Sequence, residues 1–431
     1  MKNGRLKVSV VTFGCRTNQY DSALIADNIS AFAEVSPSLS EDADAVVVNT
    51  CAVTHKPERN LRKLLNHIDR EMRGKPVIVA GCYAHLSKED IAELPGVVAV
   101  LTNDEREEVA ERVAYALGVE FDNHSQSNNL LTRSFGLTRP NVKVQDGCDY
   151  FCSFCAVPFA RGRPRSRPDW EIVAEVGNLA SSGVKEVVIT GINIGSYGRD
   201  MEGGGLNLAR LIRKISRETD IERLRISSIE PMEVTESLIS EMAENPKVCA
   251  HIHLPLQSGS ERVLKDMRRP YSAADFRSLV EELRGKIPNL CIGMDVIVGF
   301  PTEDGARFEE SYEFVRSLDF SYLHIFSYSR RRGTSAWAIK AASRPEEVRE
   351  RVGRLKELSK ARKRAFAEKQ VGGLQRVVIE YGRGEKTKRS YGLTDNYLTV
   401  YFEGYIEPQS VVRAKLVELY SDGFYGKAMD E

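Results

Sequence analysis

Residues 148–155, which read CDYFCSFC, place three cysteines within eight positions, separated by three and then two residues. A structural zinc site uses four protein ligands, usually from two Cys-x-x-Cys pairs or from one such pair and two histidines. Neither a second pair nor a nearby histidine follows this stretch. An iron–sulfur cluster held by this loop cysteine set (Cys148, Cys152 and Cys155) would keep one iron open to a further ligand, which suits catalysis.

The chain is long enough for several domains. Its 431 residues favour about two to four domains, and 42% hydrophobic with 28% charged residues is typical of a globular protein. No run of eighteen apolar residues occurs, which argues against a membrane span. The N-terminal segment lacks a small-residue cleavage site, so we expect no signal peptide. Eight cysteines are too few for a disulfide scaffold of this length, and we predict a cytoplasmic location.

The formal net charge of zero conceals an uneven distribution. Residues 330–389 contain 19 Lys and Arg against 7 Asp and Glu, an excess of +12, so the rest of the chain is acidic by the same amount. Such asymmetry indicates a surface that binds a polyanion. The alternative is a solvated helix whose charges pair with one another, because residues 344–369 alternate in sign at helical spacing.

Three further cysteines follow apolar strands in the first 118 residues. Cys15, Cys51 and Cys82, the strand-end cysteine set, come within two residues of the runs VSVVTF, AVVVN and VIVA, at spacings of 36 and 31 residues. Each spacing fits one strand and one helix, and a fourth strand, VVAVLTN, completes a small doubly wound α/β unit. The carboxyl ends of parallel strands share one edge of such a sheet. We therefore expect the three thiols to converge there.

The strand-end set has alternative interpretations. A single cysteine at a strand end is commonly core packing, since cysteine behaves as a small hydrophobe. A reactive dithiol is a second alternative, although no Cys-x-x-Cys occurs in this region. Three cysteines at the same topological position favour a second three-thiolate iron–sulfur site.

The remaining chain predicts four further segments. Residues 119–140 are rich in Asn, Ser and Gln and indicate a linker. Residues 141–330 alternate six times between strand and helix patterns, which predicts an all-parallel, barrel-like (β/α)6 sheet whose first strand precedes the loop set. Residues 331–370 predict a basic helical connector. Residues 371–431 contain short strand-like runs typical of a small antiparallel β-barrel of about five strands.

The loop set, with Phe154 directly before its last cysteine, resembles the signature of the radical S-adenosylmethionine superfamily. Nearly every segment is also similar to the methylthiotransferases of that superfamily. The matching words are TFGCRTNQYDS, VNTCAVT, VAGCYA, VQDGCDYFCSFCAVPFARGRPRSR, SSIEP, HLPLQSGS, MRRPYS and DVIVGFP. CRTNQYD and SSIEP are most similar to the branch that modifies threonylcarbamoyladenosine in tRNA. The resemblance implies a methylthiotransferase domain (1–118), a partial radical S-adenosylmethionine barrel (141–330) and an RNA-binding domain of the TRAM type (371–431).

This resemblance implies roles for the cysteines and for the barrel mouth. The loop set is expected to bind the radical-generating 4Fe–4S cluster, and the strand-end set an auxiliary 4Fe–4S cluster. Further residues are expected to contact S-adenosylmethionine or substrate: Phe154, Thr190, Gly191, Ser228, Glu230, Gln257 and Asp295. Phe154 is expected near the adenine, and the glycines of residues 190–198 let the backbone approach a ligand closely. The alternative for the polar residues is solvation at the barrel mouth.

The activity implied is the addition of a methylthio group to carbon 2 of threonylcarbamoyladenosine beside the anticodon. That C–H bond is beyond acid–base chemistry, so a radical cofactor is needed, and the protein supplies orientation and exclusion of water. The implied partners are a tRNA anticodon stem-loop, a reductant such as flavodoxin or ferredoxin, and a sulfur donor, without a membrane. The alternatives are the same chemistry on isopentenyladenosine in tRNA or on a ribosomal protein, and a non-catalytic electron carrier.

We also predict the roles of several cysteine, asparagine and histidine residues outside the two cysteine sets. Cys249 and Cys291 lack partners at metal spacing and are expected to be structural. Asn18 either holds the loop of the strand-end set or makes an ordinary turn. His251 and His253 are expected to be core or surface imidazoles rather than residues that line the mouth.

We predict RNA contacts for residues 330–332 and for the C-terminal segment. Residues 330–332 contain one more arginine than the family pattern, and we expect this arginine run to adjust RNA contacts. Strand alternation sends neighbouring side chains to opposite faces, so a set of aromatic residues is expected either to stack on RNA bases or to pack in a core. These residues are Tyr391, Tyr397, Tyr401 and Phe402.

Overall fold

The computed structural model describes residues 5–52, 55–121, 137–202, 205–382 and 389–429. The N-terminal elements are β1 (Leu6–Thr12), α1 (Arg16–Ser30), β2 (Ala33–Ser36), β3 (Ala45–Thr50), α2 (His55–Glu71), β4 (Val77–Gly81), α3 (Cys82–Leu86), α4 (Lys88–Ala92), β5 (Val97–Val100) and α5 (Val109–Leu117). All five strands are parallel, in the order β2-β1-β3-β4-β5. The predicted doubly wound α/β unit is confirmed.

The strands of this sheet are apolar because helices cover both of its faces. Every residue of β3 and β4 is buried, as expected for parallel strands that are enclosed on both sides. The sequence prediction of four strands was wrong by one, since β2 adds an edge strand beside β1. Only Ala33 of β2 is buried, so its sequence AEVS carries no apolar run that periodicity could detect.

The central elements alternate between strands and helices as predicted. They are β6 (Asn141–Asp146), α6 (Val157–Arg161), β7 (Arg165–Ser166), α7 (Asp169–Ser181), β8 (Glu186–Gly191), α8 (Leu208–Glu218), β9 (Arg223–Ile226), α9 (Glu236–Glu244), β10 (His251–Gln257), α10 (Glu261–Asp266), α11 (Ala273–Lys286), β11 (Cys291–Val298), α12 (Gly305–Ser317) and β12 (Tyr322–Ser327). Several helices begin at side-chain caps, with Asn207, Thr235, Ser272 and Asp304 each accepting a hydrogen bond from a backbone amide.

Six of these strands form one curved parallel layer. The sheet β7-β6-β8-β9 adjoins the sheet β10-β11-β12 through isolated parallel bridges, Leu224 with Val248 and Ser228 with His253. Only the two-residue β7 runs antiparallel, against the end of β6. The apolar core lies between this layer and its surrounding helices, with Ile189, Ile226 and Leu254 almost fully buried. The predicted (β/α)6 partial barrel is confirmed.

The C-terminal elements are α13 (Pro345–Glu368), β13 (Leu374–Ile379), β14 (Ser390–Thr394), β15 (Thr399–Phe402), β16 (Val411–Tyr420) and β17 (Gly423–Ala428). The strands close into a barrel in the order β13-β14-β15-β17-β16, in which β15 and β17 are parallel and the other pairs antiparallel. The predicted five-stranded barrel is confirmed, except for that parallel pair. No helix in the described ranges is both long and apolar enough to cross a membrane.

The C-terminal barrel is fixed to the parallel layer by two buried arginines. Arg223 and Arg225 of β9 each donate from Nε to the fully buried carboxylate of Glu186, at 2.6 Å. Burial raises the pKa of Glu186, but the two guanidinium groups outweigh burial and lower the pKa to about 2. The remaining guanidinium nitrogens donate to backbone carbonyls of the C-terminal barrel, those of Arg376, Leu393, Thr394 and Asp395. Arg223 also pairs with the carboxylate of Asp395 at 2.9 Å, so the barrel is held through both its backbone and a side chain.

The predicted linker, residues 119–140, lies largely outside the described residues. At its described end, the Arg139 Nε pairs with Glu380 at 2.7 Å. The Thr138 hydroxyl accepts a hydrogen bond from the Tyr381 amide at 2.9 Å. Residues 137–140 therefore add a second attachment between the parallel layer and the C-terminal barrel.

Candidate active site

The strand-end cysteine set converges at the carboxyl edge of the first sheet, as the parallel topology predicts. The Sγ atoms of Cys15 and Cys82 lie 3.8 and 3.9 Å from the same atom, the Asn18 Oδ1. Cys51 belongs to the same group, because a Cβ atom placed on Gly14 would lie 2.9 Å from the Cys51 Sγ and 3.2 Å from the Asn18 Nδ2. The three thiols therefore surround one side chain.

Asn18 is the polar centre of this group. Its Nδ2 donates to the backbone carbonyls of Phe13 at 3.1 Å and Thr50 at 2.7 Å, so it links the loops that follow β1 and β3. The side chain is fully buried, and its role is to hold the cysteine loops rather than to make an ordinary turn. Gly14 has a φ of 127°, and a Cβ at this position would lie 2.5 Å from the Cβ of Cys51. Only glycine fits there.

The loop cysteine set follows β6 in a constrained turn. The Cys148 amide donates to the Gly162 carbonyl, and the Cys155 amide donates to the Cys152 carbonyl, both at 3.0 Å. Phe151 has a φ of 46°, a left-handed conformation that costs a non-glycine residue about 1–3 kcal/mol. The surrounding structure enforces this conformation, as it commonly does at functional sites.

A cation from the barrel contacts the loop set. The Arg269 Nη1 donates to the Cys152 Sγ at 3.2 Å, and the Arg269 Nη2 pairs with the carboxylate of Glu230. The Arg269 Nε donates to the Tyr271 hydroxyl at 3.0 Å. Burial raises the pKa of Cys152, and the guanidinium partly opposes that effect. Glu230 therefore acts on the loop set by positioning Arg269.

Arg161 connects the two cysteine sets. It ends α6, six residues after Cys155, and its side chain crosses to the first sheet. Its Nε donates to the Cys82 Sγ at 3.1 Å, and its Nη2 donates to the Asn18 Oδ1 at 2.7 Å. The side chain is 1% exposed. One buried guanidinium therefore reaches from the loop set to the centre of the strand-end set.

A buried ionic network surrounds Arg161. Asp21 of α1 and Asp146 of β6 each pair with Arg161 at 2.9 Å. Lys143 contacts Asp21 at 2.6 Å and Asp146 at 3.1 Å, and Arg106 contacts Asp21 at 2.9 Å. Burial raises the pKa of Asp21, but its three cationic neighbours outweigh burial and hold it below its ordinary value. Three cations face two carboxylates, and the excess positive charge beside the thiols favours thiolate ligands.

The thiols are suited to binding a metal cluster with release of protons. Burial raises the pKa of Cys148 to about 11 and that of Cys155 to about 12. Burial also raises the pKa of Cys82, against an opposing effect of Arg161. All eight cysteines are free of disulfides. Thiol donors in two converging sets of three fit one iron–sulfur cluster at each set, and ligation would displace their protons.

The glycines of residues 190–198 have close neighbours within the protein. A Cβ on Gly191 would lie 2.7 Å from the Gln145 carbonyl oxygen, and one on Gly195 would lie 2.2 Å from a Glu233 carboxylate oxygen. Thr190 is buried beside them. Internal packing therefore accounts for these glycines, and the predicted contact with S-adenosylmethionine stays a prediction.

The other residues predicted at the barrel mouth have varied surroundings. Phe154 packs with Val263, Met267 and Phe300 in a small apolar cluster. Ser228 is exposed, and Gln257, at the end of β10, has a left-handed φ of 66°. The structure thus places Ser228 and Gln257 after or at the ends of barrel strands, while Phe154 packs in an apolar cluster.

Asp295 lies inside the curved layer with two histidines. His253 Nε2 is 2.8 Å and His324 Nδ1 is 3.4 Å from Asp295 Oδ1. His251 and His253 are both 5% exposed, so the expectation of core imidazoles is confirmed. Their contacts with the Tyr322 hydroxyl, at 2.9 and 3.3 Å, give the interior of the layer a polar lining. Strand alternation puts His251 and His253 on one face of β10, but it does not show which side chains of β11 and β12 share that face.

Most of the C-terminal aromatic residues are engaged within the protein. Phe402 is 1% exposed in the barrel core, and Tyr401 is buried with its hydroxyl 2.5 Å from Asp422. The ring of Tyr397 lies tilted by 30° against that of His251, with ring centroids 4.5 Å apart. RNA stacking was wrong for Phe402, which faces the barrel core, and core packing, the alternative interpretation, is confirmed for it. Tyr401, the preceding residue of β15, lies on the opposite face of the strand, where neighbouring side chains such as Tyr420 cover its ring.

The cysteines outside the two sets are buried. Cys249 is 0% and Cys291 is 2% exposed, which agrees with their predicted structural role. Two site residues escaped the sequence prediction, Arg161 and Arg269. Both lie in motifs that resemble the methylthiotransferases, CAVPFARGRPRSR and MRRPYS. An arginine among apolar residues was the sequence feature that could have indicated a role in the site.

A curved parallel layer with three cysteines after its first strand defines a radical S-adenosylmethionine protein. The sequence model of the Radical SAM superfamily matches residues 142–315, and that of Uncharacterized protein family UPF0004 matches residues 7–103. The fold is similar to the radical S-adenosylmethionine methyltransferase TsrM from Kitasatospora setae, with a TM-score of 0.56, 16% identity, and coverage of 78% of this chain and 77% of that chain.

Curated relatives show to which family of the radical S-adenosylmethionine superfamily the chain belongs. The chain is 37% identical to the threonylcarbamoyladenosine tRNA methylthiotransferase MtaB of Aquifex aeolicus, covering 95% of this chain and 99% of that one. It is 32% identical to MtaB of Bacillus subtilis over 98% of this chain and 97% of that one. The tRNA-2-methylthio-N(6)-dimethylallyladenosine synthase of Thermotoga petrophila is 34% identical, with the same coverage. The chain belongs to the methylthiotransferase family of the radical S-adenosylmethionine superfamily, as the sequence resemblance predicts.

Replacing Arg161 with alanine is expected to lower the free energy of unfolding by about 3–5 kcal/mol, because Asp21 and Asp146 lose a buried partner. The measurement is urea unfolding followed by circular dichroism. The matched control is Arg163→Ala, two residues away and exposed, which should cost less than about 1 kcal/mol. Equal stability of the two variants would contradict the role assigned to Arg161.

Proposed function

We propose that this chain is an enzyme that adds a methylthio group to carbon 2 of threonylcarbamoyladenosine in tRNA. The observation that carries the proposal is the union of two three-cysteine sets from different sheets through the buried Arg161. Methylthiotransferase relatives that match over nearly the whole chain support it. A protein that only carried electrons would close every iron position with cysteine, whereas each set here offers three.

The cofactors are two 4Fe–4S clusters and S-adenosylmethionine. The loop set would hold one cluster and leave an iron for S-adenosylmethionine, and the strand-end set would hold the other. When bound, these groups supply the radical chemistry and the methyl group, while the sulfur comes from a donor. The chain's own residues do the positioning. Asn18 and Gly14 fix the strand-end loops, while Arg269 and Glu230 orient Cys152.

Residues at the carboxyl ends of the barrel strands are proposed to contact S-adenosylmethionine or substrate. The exposure of Ser228 and the position of Gln257 at the end of β10 support this proposal, and Phe154 directly precedes Cys155 of the loop cysteine set. Thr190 and Gly191 end β8, and this edge is where parallel α/β sheets bind ligands. Asp295 lies deeper, beside His253. We infer that Asp295 meets substrate rather than the cluster.

The nucleoside on which the chain acts is inferred from its relatives and from short sequence motifs. MtaB enzymes named for threonylcarbamoyladenosine reach 37% identity, and the dimethylallyladenosine synthase of Thermotoga petrophila reaches 34%. The words CRTNQYD and SSIEP resemble the former branch. Dimethylallyladenosine, equivalent to the isopentenyladenosine named above, is the second candidate substrate.

Helix α13 offers a surface for the phosphates of tRNA. Part of the basic excess already has partners within the chain, since Arg364 pairs with Glu368 on the surface and Arg362 donates to the Arg316 carbonyl. Lys356, Lys360 and Lys363 are exposed at spacings of four and three residues and therefore form a stripe on one helix face. We infer that this lysine stripe and the adjoining C-terminal barrel hold the anticodon stem-loop.

Other features of the proposal rest on the family resemblance. They are a cytoplasmic location, a reductant such as flavodoxin or ferredoxin, and a sulfur donor. The proposed division of labour assigns the auxiliary cluster to residues 1–118, the radical chemistry to 141–330, and RNA binding to 331–370 and 371–431. Residues 119–140 join the first two.

Anaerobic reconstitution is expected to load about eight irons per chain, four at each cysteine set. Replacing all three cysteines of the loop set with alanine should halve iron and sulfide, because the strand-end set has its own loops and its own polar centre. Cys249→Ala and Cys291→Ala are matched controls and should keep the full content. Loss of all iron in the triple variant would show that the strand-end set binds no cluster independently.

The substrate is tested by incubating the reconstituted enzyme with tRNA that carries adenosine, dimethylallyladenosine or threonylcarbamoyladenosine at the target position. Nucleoside mass spectrometry should find the methylthio product on threonylcarbamoyladenosine. Preference for dimethylallyladenosine would move the chain to the other tRNA branch. Activity on a ribosomal protein and on none of the tRNAs would overturn the substrate class.

The lysine stripe predicts a salt effect on tRNA binding. Replacing Lys356, Lys360 and Lys363 with glutamine should reduce the slope of log affinity against log salt by up to about 3, because each phosphate contact releases counterions. Cleavage of S-adenosylmethionine without tRNA should be unchanged. Arg364→Gln, whose charge is already paired, should leave the slope close to that of the wild type. Identical slopes for the triple variant and the wild type would exclude the stripe.

A further inference from the structure

Arg331 is a buried cation with unsatisfied donors. It follows β12 and is 8% exposed. Its Nε and Nη2 atoms are buried and have no hydrogen-bond partner in the part of the chain that the structure describes. A buried charge is costly unless it is paired and hydrogen-bonded. Such an arginine indicates that a ligand supplies the missing acceptor.

A cavity lies beside Arg331 and between the two cysteine sets. Its volume is about 530 Å³, within the range of small-ligand sites. Ala52, Tyr83 and Ala156 line it, and each directly follows a cysteine: Cys51, Cys82 and Cys155. The cavity is therefore placed where both cysteine sets can act on one substrate.

The walls of the cavity suit a nucleotide. Tyr83, Phe159 and Trp337 supply aromatic surface, and Phe159 and Trp337 are 49% and 38% exposed. Aromatic side chains of this kind stack on single-stranded bases. Arg331 and Arg332 supply positive charge.

The acidic residues at the cavity accept no hydrogen bond from the Nε or Nη2 atom of Arg331. Glu58 and Asp90 also line the cavity. Glu58 interacts with the hydroxyl of Tyr83 and so is engaged elsewhere. Burial lowers the pKa of Arg331, and Glu58 and Cys51 only partly oppose that effect. An anion that bound beside Arg331 would therefore stabilise its charged guanidinium.

We propose that Arg331 binds an oxyanion of the target nucleotide in this cavity, which makes it a substrate-positioning residue. This inference rests on the proposed function and deepens it. Two oxyanions of the tRNA have the required chemistry. One is the carboxylate of the threonylcarbamoyl group, and the other is a phosphate next to the target nucleoside. Arginine can bind either through two parallel hydrogen bonds.

The experiment measures affinities of the reconstituted holoenzyme for anticodon stem-loop RNA that carries adenosine, dimethylallyladenosine or threonylcarbamoyladenosine. The variants are Arg331→Gln, which removes the charge, and Arg331→Lys, which keeps it. Arg217→Gln, an exposed change on the outer helix α8, is the matched control. Iron content and cleavage of S-adenosylmethionine without RNA establish that each variant is folded and loaded.

Loss of a charge-assisted hydrogen bond should weaken binding about tenfold or more in Arg331→Gln. If the carboxylate is the ligand, only the threonylcarbamoyladenosine RNA is affected. If a phosphate is the ligand, all three RNAs weaken equally and the salt slope falls by about 1. In both cases Arg331→Lys should retain part of the affinity, because lysine keeps the charge but not the paired geometry.

Unchanged affinity of a loaded Arg331→Gln variant for all three RNAs would overturn the inference. That outcome is separable from failure of the proposed function, which the wild-type enzyme alone decides. A wild type that methylthiolates threonylcarbamoyladenosine while Arg331→Gln binds normally would leave the function intact and remove the role of Arg331. A wild type without methylthio product on any RNA would remove the function itself.

Discussion

The arrangement of the candidate active site depends on one buried guanidinium. Arg161 belongs to the helix that follows the loop cysteine set, yet its nitrogens contact Cys82 and Asn18 in the N-terminal α/β unit. It is held from both sides, by the carboxylate of Asp21 in α1 and by that of Asp146 in β6. Such a charge is tolerated in a dry interior only when it is paired and hydrogen-bonded, so both sheets must be docked for either to be stable. The contacts that dock the two sheets on each other therefore also bring the two cysteine sets together.

This constraint explains why the site is built at the contact of two carboxyl edges. Each sheet delivers three thiols by its own local geometry, through Asn18 and Gly14 in one case and the strained turn at Phe151 in the other. Neither sheet alone encloses a substrate. The cavity beside Arg331 exists because the loops after Cys51, Cys82 and Cys155 meet there. A radical reaction requires such a shared, water-poor space, since orientation and protection are what the protein contributes.

Much of the architecture could be predicted because it follows from rules of parallel sheets. The strand-end cysteines are far apart in sequence, and only the shared carboxyl edge indicated that they meet. Arg161 could not be predicted in the same way. Arginines recur at every second position from Arg161 to Arg167, and Arg161 alone is fully buried among them, a distinction that depends on tertiary contacts. The edge strand β2 was missed because a four-residue edge strand is held by backbone pairing rather than by apolar side chains.

The central claim is that both cysteine sets hold clusters that face one cavity. Arg161 follows Cys155 by six positions and its side chain contacts Cys82, so the clusters would lie within about 20 Å of each other. The most direct measurement is the electron paramagnetic resonance spectrum of the fully reduced protein, compared with spectra of variants that lack one cysteine set. The account predicts a wild-type spectrum broadened by magnetic interaction between the clusters, and therefore different from the sum of the two variant spectra. A wild-type spectrum equal to that sum would contradict it.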